Sequence, residues 1–327
     1  MTPPHLPAPT ESSDIPDHRD GRVYAITDNL KLAVDVALAT GRPLLLRGEP
    51  GSGKSSLAAY VARQRTWRYY EHIVTSRTEA RDLLWTFDAV RKLADAQNRS
   101  AGELDDHDYV EPGVLWWAFA PRSASCRGRL GDGSGAASAE DPQLLVHDGD
   151  EPSTDHAVVL IDEIDKSEPD LPNNLLVPLG SHQFTVTDIR TTIRKEAPAK
   201  PGQSPLGRYL IVVTTNEERP LPEAFLRRCV VAVAPRPDQD RLVTIARMHL
   251  ETYEGGWSAP DLALANAIAA DLLNARSHAD REGLRAPSTA EFLDALRACR
   301  SLGITVDSPQ WDQMRQLVMV KPGGPWS

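Results

Sequence analysis

The chain has 327 residues, 41% of them hydrophobic, enough for one large α/β domain with a smaller companion. Its formal net charge of -10 argues against a surface that coats nucleic acid, because neutralising phosphates takes a dense Lys/Arg face. Three cysteines (Cys126, Cys229, Cys299) without CxxC spacing indicate neither a disulfide framework nor a zinc site, and no apolar run approaches the roughly 20 residues of a membrane helix, so a reducing cytoplasm is the expected compartment.

Residues 1–21 are rich in Pro, Asp, Ser and His and read as a flexible tail. From Asp28 to Ala39 the spacing of Leu30, Val34, Ala37 and Leu38 predicts a helix with Thr27 as its N-cap. Leu44, Leu45 and Leu46 then form a short strand buried on both faces, a glycine-rich loop follows at once, and Ser56 to Arg63 continues as a helix. Glu71 to Ser76 reads as a second strand. Glu79 to Ala96 reads as one helix, with Leu83, Leu84, Phe87, Val90 and Leu93 at three- and four-residue steps. Val110 to Phe119 is apolar and aromatic, whereas residues 122–155, dominated by Gly, Ser, Ala and Asp, read as an exposed, flexible insertion.

Ala157 to Ile161 and Leu210 to Thr214 are further buried strands, separated by a helix over Pro172 to Leu179 and a hairpin over Gln183 to Ile193. A short helix from Pro220 to Arg228 and a last strand from Val230 to Val233 complete residues 22–236. Helical patterns over Asp240–Thr252, Asp261–His278, Thr289–Leu302 and Ser308–Val320 make residues 237–327 a second domain. The expected fold is a parallel α/β sheet flanked by helices, with a smaller C-terminal α-helical lid.

The loop formed by Gly48, Glu49, Pro50, Gly51, Ser52, Gly53, Lys54, Ser55 and Ser56 fits the phosphate-binding pattern G-x-x-x-x-G-K-[ST] in full. Glycines let backbone N–H groups turn toward phosphate oxygens, the following helix presents its positive end, and Lys54 reaches the β- and γ-phosphates. Ser55 is the expected Mg²⁺ ligand. Asp162, ending the strand in VVLIDE, can reach the same ion, and Glu163 can orient or deprotonate an attacking water. Asn216 closes LIVVTTN, where a side-chain amide can touch both the γ-phosphate and that water. Arg227 and Arg228 follow in EAFLRRC, and either can serve as an arginine finger in trans. The nine histidines show no metal-ligand spacing, so Mg²⁺ delivered with nucleotide is the metal expected.

The segments GEPGSGKSS, LIDEIDKS, VVTTNEERPLPEAFLRRC and RAPSTAEFLDALR together resemble the AAA+ superfamily, and within it the MoxR branch, over Arg22 to Leu302. TSRTEARDLLWTFDAV and YVEPGVLWWAF further resemble a bacterial subgroup that works beside effector or protease-like partners in conflict systems. The resemblance implies a ring, usually a hexamer, with ATP between subunits and hydrolysis moving loops that grip a separately encoded protein. It aligns Arg228 with the trans finger and leaves Arg227 as the alternate.

MoxR relatives often place a second phosphate sensor on the lid. Here Pro287-Ser288-Thr289 occupies that helix start, Arg285 is the nearest cation and Arg297 lies further along. A slow nucleotide-gated switch or scaffold in a bacterial defence or signalling system is therefore the alternative to a chaperone-like motor. Phe184 in the hairpin is either a substrate grip or packing. By strand alternation, one of Trp116 and Trp117 is buried and the other exposed, unless both face the core.

Overall fold

The computed structural model describes residues 19–97, 104–129, 138–145, 147, 149, 151–197 and 209–318. Two compact units emerge: Ile26–Arg236, and a second that joins the described residues up to Ala25 to those from Pro237 onward.

In the first unit, α1 (Asp28–Thr40) starts where the Thr27 hydroxyl accepts from Leu30 N, and it buries Leu30, Val34, Ala37 and Leu38, the face its spacing predicts. β1 (Leu44–Arg47) follows, then α2 (Lys54–Arg65) and β2 (Trp67–Ile73). β2 lies several residues earlier than Glu71–Ser76, because Trp67, Tyr69 and Tyr70 are buried when Arg68 to Ile73 pair with a neighbouring strand.

Glu79 to Ala96 is not one helix. It breaks into α3 (Ala80–Leu84), β3 (Trp85–Phe87) and α4 (Ala89–Gln97), because β3 pairs antiparallel with β4 (Val110–Pro112). Trp85 is buried there and donates from Nε1 to Asp188 Oδ2 at 2.8 Å. α4 is thereby left with Val90 and Leu93 exposed, and Lys92 turned to its ion pair with Asp106.

α5 (Val114–Phe119) buries both Trp116 and Trp117, so neither faces solvent. The described part of the expected insertion is only partly an exposed loop: residues 138–145 have no regular structure and Leu144 is exposed. Pro121–Ser125 forms α6, Ala139 and Leu145 are buried, and β5 (Ser153–Asp162) begins before residue 155; residues 130–137 lie outside the described ones. α7 (Asp170–Ser181) leads to the hairpin β6 (Gln183–Val186) and β7 (Thr191–Arg194). Phe184 packs there, its ring 5.9 Å from those of Trp85 and Trp116. β8 (Tyr209–Thr215), α8 (Glu223–Leu226) and β9 (Val230–Val233) complete the unit.

Five of these strands form one parallel sheet in the order β2-β5-β8-β1-β9. β1 and β8 are buried along nearly their whole length and β5 is buried from Ala157 onward, which is why these stretches are apolar runs. Their register sets Arg47 beside Thr215 and Ile161 beside Val213. Gly48 and Asn216, each one residue past its strand, and Asp162, the last residue of β5, therefore emerge at the same end of the sheet.

The second unit packs α9 (Gln239–Tyr253), α10 (Ala259–Glu282), α11 (Thr289–Leu302) and α12 (Trp311–Val318) around Leu242, Ile268, Leu272, Phe292 and Leu296. Ser288 and Glu291 form a capping box that starts α11. Part of the expected N-terminal tail belongs to this unit: Asp20 is buried and accepts from Tyr253 Oη at 2.6 Å. The tail's residues 1–18, and positions 319–320 of the last expected helix, lie outside the described residues.

Candidate functional site

The loop between β1 and α2 is built around glycines in conformations that side chains resist. Gly48, Gly51 and Gly53 have φ of 149°, 76° and 84°, and a Cβ on Gly48 would lie 2.7 Å from Ala234 O. Lys54 is buried at the start of α2. Its ammonium uses three donors on Gly48 O (2.7 Å), Glu49 O (2.8 Å) and Asn216 Oδ1 (2.8 Å). Burial lowers its pKa, opposed by the carboxylates of Asp162, Asp165, Glu163 and Glu217. Glu49 is tied to Arg236 by an ion pair. The Ser52 hydroxyl is buried without a hydrogen-bond partner, a polar atom turned into the loop.

Asp162 ends β5 nearly buried. Its Oδ1 accepts from Ser55 Oγ at 2.7 Å and from Thr214 Oγ1 at 2.6 Å. Hard oxygens so close together suit one Mg²⁺, and the glycine cradle, the orphan Ser52 hydroxyl and the Lys54 ammonium suit phosphate oxygens. The residues present therefore fit a magnesium nucleotide.

Glu163 sits in the left-handed region at φ 59°, unusual for a side chain of its size and typical of strained functional positions. Its N–H donates to Thr214 Oγ1 (2.8 Å), which holds the strain in place. Glu163 Oε1 accepts from Asn216 Nδ2 (3.3 Å) and Oε2 from Lys166 Nζ (2.7 Å). That bond, with the nearby carboxylate charge, raises the pKa of Lys166 despite the smaller opposing cost of burial. Lys54, Asn216, Glu163 and Lys166 thus form one continuous polar chain, brought together from three separate sequence segments.

A model of the AAA domain (dynein-related subfamily) matches residues 43–229, more than half of the chain. The chain belongs to the AAA domain family, in its dynein-related subfamily. Its parallel sheet, loop and acidic strand end are those of an ATPase.

Among solved structures, Thermotoga maritima RuvB, described as a Holliday junction branch migration motor, is 14% identical with a TM-score of 0.43. The alignment covers 88% of this chain and 66% of RuvB. A point mutant of the same protein gives a TM-score of 0.46 at 14% identity, over 88% of this chain and 68% of its own. No curated protein matches the chain in sequence.

Not every predicted site residue of the AAA domain joins this cluster. Arg227 and Arg228 are exposed at the end of α8, where Arg227 pairs with Glu223 (2.9 Å) and Arg228 donates to Ala224 O (3.0 Å). Arg285 belongs to the helical unit and pairs with Glu291 Oε1 at 3.4 Å. Sequence reasoning missed Thr214, Lys166 and Asp165. The last is 2% exposed and accepts from the backbone N–H of Asn216 and Glu218. Its only sequence signal is a second acid two residues after Glu163.

Proposed function

We propose that this AAA domain belongs to the MoxR branch, hydrolyses ATP with Mg²⁺, assembles as a ring of six, and uses the cycle to remodel or activate a separately encoded protein. The observation that carries the reading is the junction of Lys54, Asn216 and Glu163 beside the Ser55–Asp162 pair. The magnesium nucleotide supplies the phosphoanhydride bond and a charge-neutralising metal. Ser55 and Asp162 hold the ion, and the Gly48–Ser56 loop cradles the phosphates. Lys54 leaves its loop carbonyls to neutralise the β- and γ-phosphates. Glu163 orients or deprotonates the attacking water, and Asn216 holds it against the γ-phosphate.

The exposure of Arg228, with Arg227 as the alternate, suits a finger that completes a neighbouring subunit's site. In this reading residues 22–236 are the motor domain and 237–327 the lid. A protein partner fits the net charge of -10 better than nucleic acid does. No described helix is long and apolar enough to cross a membrane, and the proposed site of action is the bacterial cytoplasm, with the conflict-system subgroup as the narrower assignment.

Two observations favour a slower device. Lys166 holds the carboxylate that water needs, and Arg285 is engaged by Glu291, so a nucleotide-gated switch or scaffold is the second reading. Light scattering with a non-hydrolysable ATP analogue and turnover assays test the first proposal; no growth in mass and no hydrolysis would defeat it. Partners captured by Glu163→Gln under ATP separate the two readings. A motor loses its effect on the partner in that variant, whereas a switch retains it.

A further inference from the structure

Asp165 lies in the short 3-10 turn Ile164–Lys166, and the chemistry above gives it no part. Its Oδ2 accepts two backbone N–H groups, from Asn216 at 3.1 Å and Glu218 at 2.9 Å. Glu217, between them, is left-handed with φ 62°, so residues 216–218 wind around a single carboxylate oxygen. The flanks are tied as well: Glu217 N donates to Thr215 Oγ1 (3.0 Å) and Arg219 Nη1 to Ser167 O (3.4 Å). The other oxygen, Oδ1, is buried with no hydrogen-bond partner. A buried acceptor left unpaired is costly, and here the cost falls on the side chain that organises Asn216.

We propose that Asp165 is a positioning residue for hydrolysis, gripping the backbone after β8 so that the Asn216 amide faces both Lys54 and Glu163. The inference rests on the reading of Asn216 as the group that holds the attacking water. An amide that must present Oδ1 to one partner and Nδ2 to another needs its own backbone fixed, since a shift of about 1 Å in a reacting group can cost on the order of a hundredfold in rate. Because β8 ends at Thr215, the sheet ladder no longer restrains Asn216, and Asp165 takes over that restraint. The clamp also joins the acidic turn to the loop after β8, so the water-activating and water-holding groups move as one piece.

Asp165→Ala removes the oxygen that accepts both backbone N–H groups, whereas Asp165→Asn would keep a carbonyl oxygen able to hold them. In the full chain we expect kcat of Asp165→Ala to fall about tenfold or more, with affinity for a fluorescent non-hydrolysable ATP analogue changed by less than about threefold. On an Asn216→Ala background the same change should cost less than about twofold, because both substitutions remove one interaction. Equal losses in kcat and affinity, or losses that multiply in the double variant, would overturn the proposal and leave Asp165 a general structural residue.

Hydrogen exchange in the wild type is an independent measurement if Asp165→Ala does not fold. The Glu218 amide, in an exposed bend, should be protected, and exchange at the rate of a free loop amide would overturn the clamp. Unchanged turnover in Asn216→Ala alone would instead defeat the reading of Asn216, whatever the exchange shows.

Discussion

Lys54 Nζ donates to Asn216 Oδ1 at 2.8 Å, which ties the phosphate loop to the end of the neighbouring strand β8. The two residues have different tasks, so their loss separates binding from chemistry. Lys54→Ala should abolish measurable nucleotide binding, because the ammonium is the loop's buried cation. Asn216→Ala should leave affinity within about threefold and lower kcat by about a hundredfold, the scale of losing one preorganised donor at the reacting centre. Nucleotide titration and steady-state hydrolysis check both.

Gly48 has a backbone that a side chain can hardly adopt and a neighbour that cannot retreat, since Ala234 O is main chain. Gly48→Ala should therefore destabilise the chain by about 1–3 kcal/mol and impair nucleotide binding. Gly41 supplies the control. Its φ is 64° at the end of α1, but a Cβ there meets nothing within 4 Å, so Gly41→Ala should cost only about 1 kcal/mol and leave binding intact. Denaturant unfolding of the two variants makes the comparison.

Trp116 is fully buried, donates from Nε1 to Ser123 Oγ at 3.2 Å, and meets Phe184 of the hairpin edge-to-face. Trp116→Ala should cost about 3–5 kcal/mol, the range for emptying a large aromatic site. Phe184→Leu keeps most of the apolar volume and should cost about 1 kcal/mol. Loss of partner handling in Phe184→Leu without that modest destabilisation would favour a gripping role for the hairpin over packing.

Much of this arrangement is legible in the sequence because it is local. The Gly48–Ser55 loop, the Thr27 cap and the unbroken apolar runs of β1, β5 and β8 each announce themselves within about ten residues. Glu79–Ala96 misleads because Leu83, Phe87, Val90 and Leu93 do fall at helical steps. The deciding interaction is pairing of Trp85–Phe87 with Val110–Pro112, more than twenty residues away, and tertiary pairing overrides that local pattern. Thr214, Lys166 and Asp165 were hidden for a related reason. Nothing in their residue type announces a role until parallel register brings β5 beside β8. Trp116 and Trp117 are read through strand alternation, yet they lie on the short helix α5, where adjacent side chains can both find the core.

His249 gives the helical unit a pH dependence of its own. Burial pushes its imidazole down to about 4, with Arg297 adding to the shift and Asp20 opposing it. Nδ1 has no hydrogen-bond partner, and the ring lies 5.6 Å from that of Tyr253. The folded unit therefore keeps the neutral ring at a pH where the unfolded chain, titrating near its ordinary value of about 6.5, has taken up a proton. Between those two values the unfolded state binds more protons. The contribution of His249 to stability is then complete above about pH 6.5 and is lost as the pH falls toward about 4. Many carboxylates also titrate as acid is added, so the informative quantity is the difference between wild type and His249→Phe, in which they largely cancel. The wild-type Tm should fall relative to that of His249→Phe across this window and run parallel to it above the window. A difference that stays flat throughout would show that His249 is protonated equally in both states.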